Sequence, residues 1–213
     1  MTLTEQASRS LPSTRDGIDT RQVRLLGVAV SGGALAWAAT QATLGANPDT
    51  YVGTVISQLS VLLFQLGVFA LLRVQLRTRA TGTSRAALAL LQVEHVLLAL
   101  ATLWTVLDGI AFAASLPWRD ASWLDALDGF WPLSMLGMVL LGIQLAIAGR
   151  WRGAARFWPL VAQSWAVVVV PAFMVVGPGR LADLLGAGHL LVGYVVLGLL
   201  LALRPRLTGA HDA

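Results

Sequence analysis

The sequence predicts an all-α membrane bundle of six transmembrane helices with both termini in the cytoplasm. Three observations carry this. Hydrophobic residues make up 56% of the 213 residues and charged residues 12%, against roughly 45–50% and 25% in an ordinary soluble domain. The apolar residues fall in long blocks, and a helix needs about 20 such residues to cross a hydrocarbon layer about 30 Å thick. Six blocks also sort the 15 basic residues, all of them arginine, strongly to one side.

Residues 1–23 are polar and without an apolar period, so they read as a cytoplasmic tail expected to be disordered. The first apolar run is long enough to span, which a signal peptide's is not. The predicted spans are 25–45, 51–72, 87–107, 130–149, 158–177 and 182–203, in one six-helix domain over 24–206, followed by a short tail, 207–213. Apolar sequence resumes at Ile110 and stops at Pro117, consistent with a third helix that runs on, tilted.

The arginines set the orientation. Arg9, Arg15, Arg21 and Arg24 precede the first span. Arg73, Arg77, Arg79 and Arg85 lie between the second and third. Arg150, Arg152 and Arg156 lie between the fourth and fifth, and Arg204 and Arg206 follow the sixth. Only Arg119 and Arg180 fall on the opposite side. The positive-inside rule makes the first side cytoplasmic. Five or seven spans would scramble this partition. The net charge of +4 is therefore a topology signal, with attraction to anionic headgroups added to it. The expected partner is the lipid bilayer, not nucleic acid.

The outer side is acidic, with Asp49, Asp108, Asp120, Asp125, Asp128 and Asp183. Its longest loop, 108–129, is expected to hold a short interfacial helix capped by Asp120 or Ser122, with Trp123 and Leu127 on its apolar face. Trp118, Trp123 and Trp131 are expected in the outer aromatic belt, and Trp151 and Trp158 in the inner one.

Several chemistries are excluded. The chain has no cysteine, hence no disulfide, Fe–S cluster or thiolate metal site. Without lysine there is no Schiff base and no phosphate loop of the lysine type. No His-Glu-x-x-His helix or Gly-x-Ser-x-Gly elbow occurs. Asp108-Gly109 matches the opening of a phosphatidyl-alcohol transferase motif, but the arginine and later aspartates of that motif are missing. No metal and no cofactor is expected. A haem between His95 and His189 is disfavoured, because counting along the helices separates them by about 8 Å in depth.

Counting residues from the cytoplasmic ends places Glu94, Gln65, Gln163 and Gln144 in an inner polar layer about 10–12 Å deep. Gln41, Gln58, Thr102 and His189 fall in a second layer about 20–24 Å deep. Thr54, Ser57, Gln58 and Gln65 form a stripe on the second span. Glu94, Thr105 and Asp108 share a face of the third, since eleven residues is close to three turns. These stripes are expected to face each other or a shared cavity. Pro171 is expected to kink the fifth span by freeing the carbonyl of Val167.

Glu94 is the most informative residue. An ionised acid at this depth costs at least about 2.5–3.5 kcal/mol, so the group is either a functional acid or a neutral tie to Gln65. The candidate ligand-binding set is Glu94, Gln65, Gln58, His189 and Asp108, with Asp108 and Asp183 at a mouth leading to His189 and Gln58. His95 points about 100° away from Glu94 and reads as a packed histidine. Gly32, Gly33, Gly137, Gly142, Gly186, Gly193 and Gly198 read as helix-packing positions.

Three functional readings follow. The first is binding or transport of a small lipophilic or weakly polar molecule between spans 2, 3, 5 and 6. The second is an enzyme acting on a lipid or isoprenoid, with Glu94 or Asp108 as acid or base and Trp104 and Trp165 facing a cationic intermediate. The third is an accessory subunit whose small-residue faces dock another membrane protein.

Overall fold

A computed structural model describes residues 18–212, so positions 1–17 of the tail expected over 1–23, with Arg9 and Arg15, lie outside the described residues. The chain is all-helical. Among the described residues there is no strand, only an isolated bridge between Asp19 and His211. Six helices are long and apolar enough to cross a membrane. The first three are α1 (Thr20–Leu44), α2 (Tyr51–Arg77) and α3 (Arg85–Ala113). A short α4 (Ser122–Asp128) leads into α5 (Phe130–Ala148). The fifth span is split into α6 (Ala154–Ala162) and α7 (Trp165–Val176). The sixth runs through α8 (Arg180–Leu190), a π turn (Leu191–Val195) and α9 (Val196–Leu203).

Each of these six long helices packs on its two neighbours in sequence, and the sixth closes back on the first. The result is a ring of six antiparallel helices around a central axis. Glycine sets the tightest seams. A Cβ at Gly33 would stand 2.3 Å from the Leu63 carbonyl oxygen, and one at Gly27 would stand 2.7 Å from that of Gly198. Side chains at these positions would hold the helices apart, so α1 can approach α2 and α9 only because they are absent. Ser31 adds a hydrogen bond to the carbonyl of Val195 at 2.8 Å.

α1 starts at Thr20, earlier than expected, because Asp19 caps it by accepting the Gln22 N–H at 2.6 Å. α2 runs five residues beyond the expected position 72, to Arg77. α3 continues through the Ile110–Ala114 apolar stretch as far as Ala113, as its apolar pattern predicts.

Two local expectations are corrected, and one break in a helix was not expected. The short helix α4 exists, but neither Asp120 nor Ser122 caps it. Ala121 stands at the cap, and the residue it buries is Leu124 at 1% exposure, while Trp123 is 48% exposed. The fifth span is interrupted at Gln163–Ser164, ahead of Pro171, which lies within α7. There the Ser164 hydroxyl donates to the Val161 carbonyl at 2.9 Å, a local bond that competes with the helical ladder. Trp151 is no belt residue. It is fully buried, and its indole N–H donates to Thr78 Oγ1 at 2.9 Å.

All described arginines of the four basic segments lie at one end of the ring. Ile18, Arg77, Arg79, Arg150 and Gly209 line one pocket there. Arg119 and Arg180 lie at the opposite, acidic end, where Arg119 pairs with Asp108 and Arg180 bonds the carbonyl of Ala42.

Candidate functional site

A vestibule of about 850 Å³ opens at the acidic end, walled by α1 to α3, the loops beside them and Trp131 of α5. The polar stripe of α2 supplies Thr54, Ser57 and Gln58, and α3 supplies Trp104 and Asp108. Gln58 Nε2 donates to Asp108 Oδ2 at 2.6 Å, and Arg119 Nε donates to Asp108 Oδ1 at 3.2 Å. The Arg119 guanidinium lies 4.8 Å from the centre of the Phe112 ring, which stacks on Tyr51. Asp49 and Asp128 also line the space. Three carboxylates against one arginine leave it net negative.

Its floor is aromatic. Trp37 and Trp131 line both the vestibule and a smaller cavity of about 30 Å³ on the ring axis, to which all six spans contribute. The two indoles meet edge to face at 5.8 Å. Trp131 therefore turns into the bundle instead of joining the expected outer belt. Trp165 stacks on Trp37 at 5.3 Å, and Phe64 lies between Trp37 and Tyr194 at 4.8 and 5.0 Å. Beyond this chamber, towards the arginine-rich end, Leu71, Leu91, Leu141, Leu197 and Leu201 are fully buried. The inner chamber thus lies between the vestibule and this leucine seal.

Glu94 sits beside the inner chamber, 1% exposed. Ser134, which lines the chamber, donates to Glu94 Oε1 at 2.6 Å, and Oε2 has no hydrogen-bond partner among the described residues. Gly137 leaves it room, since a Cβ there would stand 1.9 Å from Oε2. The expected tie between Glu94 and Gln65 is not formed. Gln65 Nε2 donates instead to Thr105 Oγ1 at 2.9 Å. The five extra residues of α2 lift Gln65 about 7.5 Å further from the arginine-rich end than was counted, so it meets the outer half of α3. The two polar stripes do face each other, through the Gln58–Asp108 and Gln65–Thr105 bonds.

The remaining candidates lie apart. His189 faces Ser164 across 3.1 Å and meets Trp165 edge to face at 5.4 Å, behind the chamber and outside the vestibule. Asp183 accepts the Ala46 N–H at 2.9 Å and ties the α1–α2 loop instead of lining the mouth. His95 contacts the Leu91 carbonyl at 2.7 Å and lies near Phe69, so the two histidines face different neighbours. Trp104 lines the vestibule and Trp165 the inner chamber, so they do not flank one site.

Sequence reasoning missed Ser134, Trp37 and Arg119 as site residues. Ser134 carried a usable signal, being the sole hydroxyl in the apolar run of α5, with Gly137 nearly one turn on. No family model matches this chain, and no curated protein sequence or solved structure matches it.

Proposed function

We propose that the chain is an integral protein of the cell membrane that crosses the bilayer six times with both termini in the cytoplasm. It binds or carries a small lipophilic or weakly polar molecule that enters from the outer face. The observation that supports this most is the vestibule of about 850 Å³ at the acidic end, which stops at Trp37 and Trp131. Its volume falls within the range of small-molecule sites, roughly 300–1,000 Å³. Aromatic walls with a net negative charge favour a neutral or cationic guest, because ring faces attract cations. The leucine seal fits one conformation of a carrier, or a receptor closed at its base.

The test is native mass spectrometry of the full chain in mild detergent, for a co-purified ligand and for added tetraphenylphosphonium. One saturable adduct, weakened about tenfold or more by Trp131→Ala or Asp108→Asn, is expected. Bare protein that also ignores the probe overturns the reading. Orientation is checked separately. The chain has no cysteine, so Thr83→Cys and Ser122→Cys give single labels. A membrane-impermeant maleimide applied to intact cells should label only Ser122→Cys; the reverse pattern overturns the assigned topology.

A further inference from the structure

A second pocket, about 450 Å³, lies at the arginine-rich end, far from the vestibule. The end of α2 and the turn after it bring Arg77 and Arg79 to it, and the turn after α5 brings Arg150, beside Thr78, Thr208 and Gly209. Among the described residues none of these three guanidiniums makes an ion pair. The described carboxylates of this end are engaged elsewhere. Asp19 caps α1, and Asp212 pairs with Arg206 and accepts from Thr20. Three positive charges thus converge on a space that no carboxylate lines among the described residues.

The frame is rigid and partly strained. α2 ends in a Schellman turn, in which the Ala80 N–H bonds the Gln75 carbonyl and the Arg79 N–H bonds that of Leu76. Arg79 occupies the left-handed position, φ 49°, where glycine is the usual and cheaper residue. What arginine supplies there, and glycine cannot, is a guanidinium at the pocket wall. Gly149, also left-handed at φ 63°, turns the chain so that Arg150 follows. Buried Trp151 pins this turn to Thr78, and the Arg152 N–H bonds the Leu207 carbonyl at 2.8 Å. The loops are therefore locked to one another, which lowers the cost of holding three like charges ready.

We propose that this pocket binds a phosphate-bearing anion, held by charge-assisted hydrogen bonds from Arg77, Arg79 and Arg150. The phosphate belongs either to an anionic lipid headgroup or to a small soluble phosphate ester. The proposal does not depend on the vestibule reading.

The experiment is native mass spectrometry of the full chain in mild detergent, titrated with dioleoyl phosphatidic acid and, separately, with glycerol 3-phosphate. One saturable adduct is expected. Arg79→Gln and Arg150→Gln should each weaken it about tenfold or more. Arg24→Gln removes the same charge at the same end but outside the pocket, and should change it less than about twofold. Arg79→Gly relieves the backbone strain, so it should lose the adduct while melting no lower than wild type. An adduct with phosphatidic acid alone assigns a lipid headgroup; adducts with both probes assign the free phosphate group. No saturable adduct with either, or a loss in Arg24→Gln equal to that in Arg79→Gln, overturns the proposal.

Discussion

The hydrogen bond from Ser134 to Glu94 can be weighed by a double-mutant cycle. Both side chains are buried, at 4% and 1% exposure, and the contact is 2.6 Å. Interhelical hydrogen bonds in membrane proteins average about 0.6 kcal/mol, with a maximum near 1.7. Burial and short length place this one at the upper end, so the coupling between Ser134→Ala and Glu94→Met should be about 1–1.7 kcal/mol. Ser134→Ala alone should lower the melting temperature by about 2–6 °C, at roughly 2–4 °C per kcal/mol for a chain of this size. Glu94→Gln keeps an acceptor for the hydroxyl and should retain most of the coupling. Gly137→Ala pushes a methyl to within 1.9 Å of Glu94 Oε2 and should cost about 1–3 kcal/mol by overpacking, less once Ser134 is already alanine. Unfolding in mixed detergent gives the stabilities. A coupling below about 0.5 kcal/mol, the scatter of independent sites, would refute the assignment of Ser134 as the partner of Glu94.

Other consequences follow from the same contacts. Gly33→Ala should cost more than about 2 kcal/mol, because its Cβ meets backbone 2.3 Å away. Gly32→Ala, with nothing within 4 Å, should be neutral or stabilising by about 0.5–1 kcal/mol; equal effects in thermal melts would contradict the α1–α2 seam. Trp151→Phe should lose about 0.5–1.5 kcal/mol with its bond to Thr78, and Trp151→Ala about 3–5, whereas a belt residue would tolerate both. Hydrogen bonds from Arg206 and Thr20, with the arginine's charge, hold the Asp212 carboxyl below its usual range. The clasp between the termini is therefore fully present above the unfolded aspartate value of about 3.9 and weakens as pH falls through the lower folded value. Hydrogen exchange at the Thr20 amide should rise in acid for wild type, and Asp212→Asn should remove that dependence.

The sequence alone determined the helical class, the six helices long and apolar enough to cross a membrane, and the separation of charge between the two ends. Those properties depend on one-dimensional quantities: the length of an apolar block against the bilayer, and the side on which each arginine falls. It also placed Gln58, Asp108, Gln65 and Thr105 on facing stripes, since helical periodicity decides which residues share a face. Pairing across helices was decided only in three dimensions. Register depends on where each helix ends, and the five further residues of α2 moved Gln65 from the level of Glu94 to that of Thr105. Packing in the ring turned Trp131 inward beside Trp37, where the belt rule reads it as an anchor. Vestibule, aromatic floor and leucine seal each draw on several helices at once, so they have no counterpart in the local order of residues along any one of them.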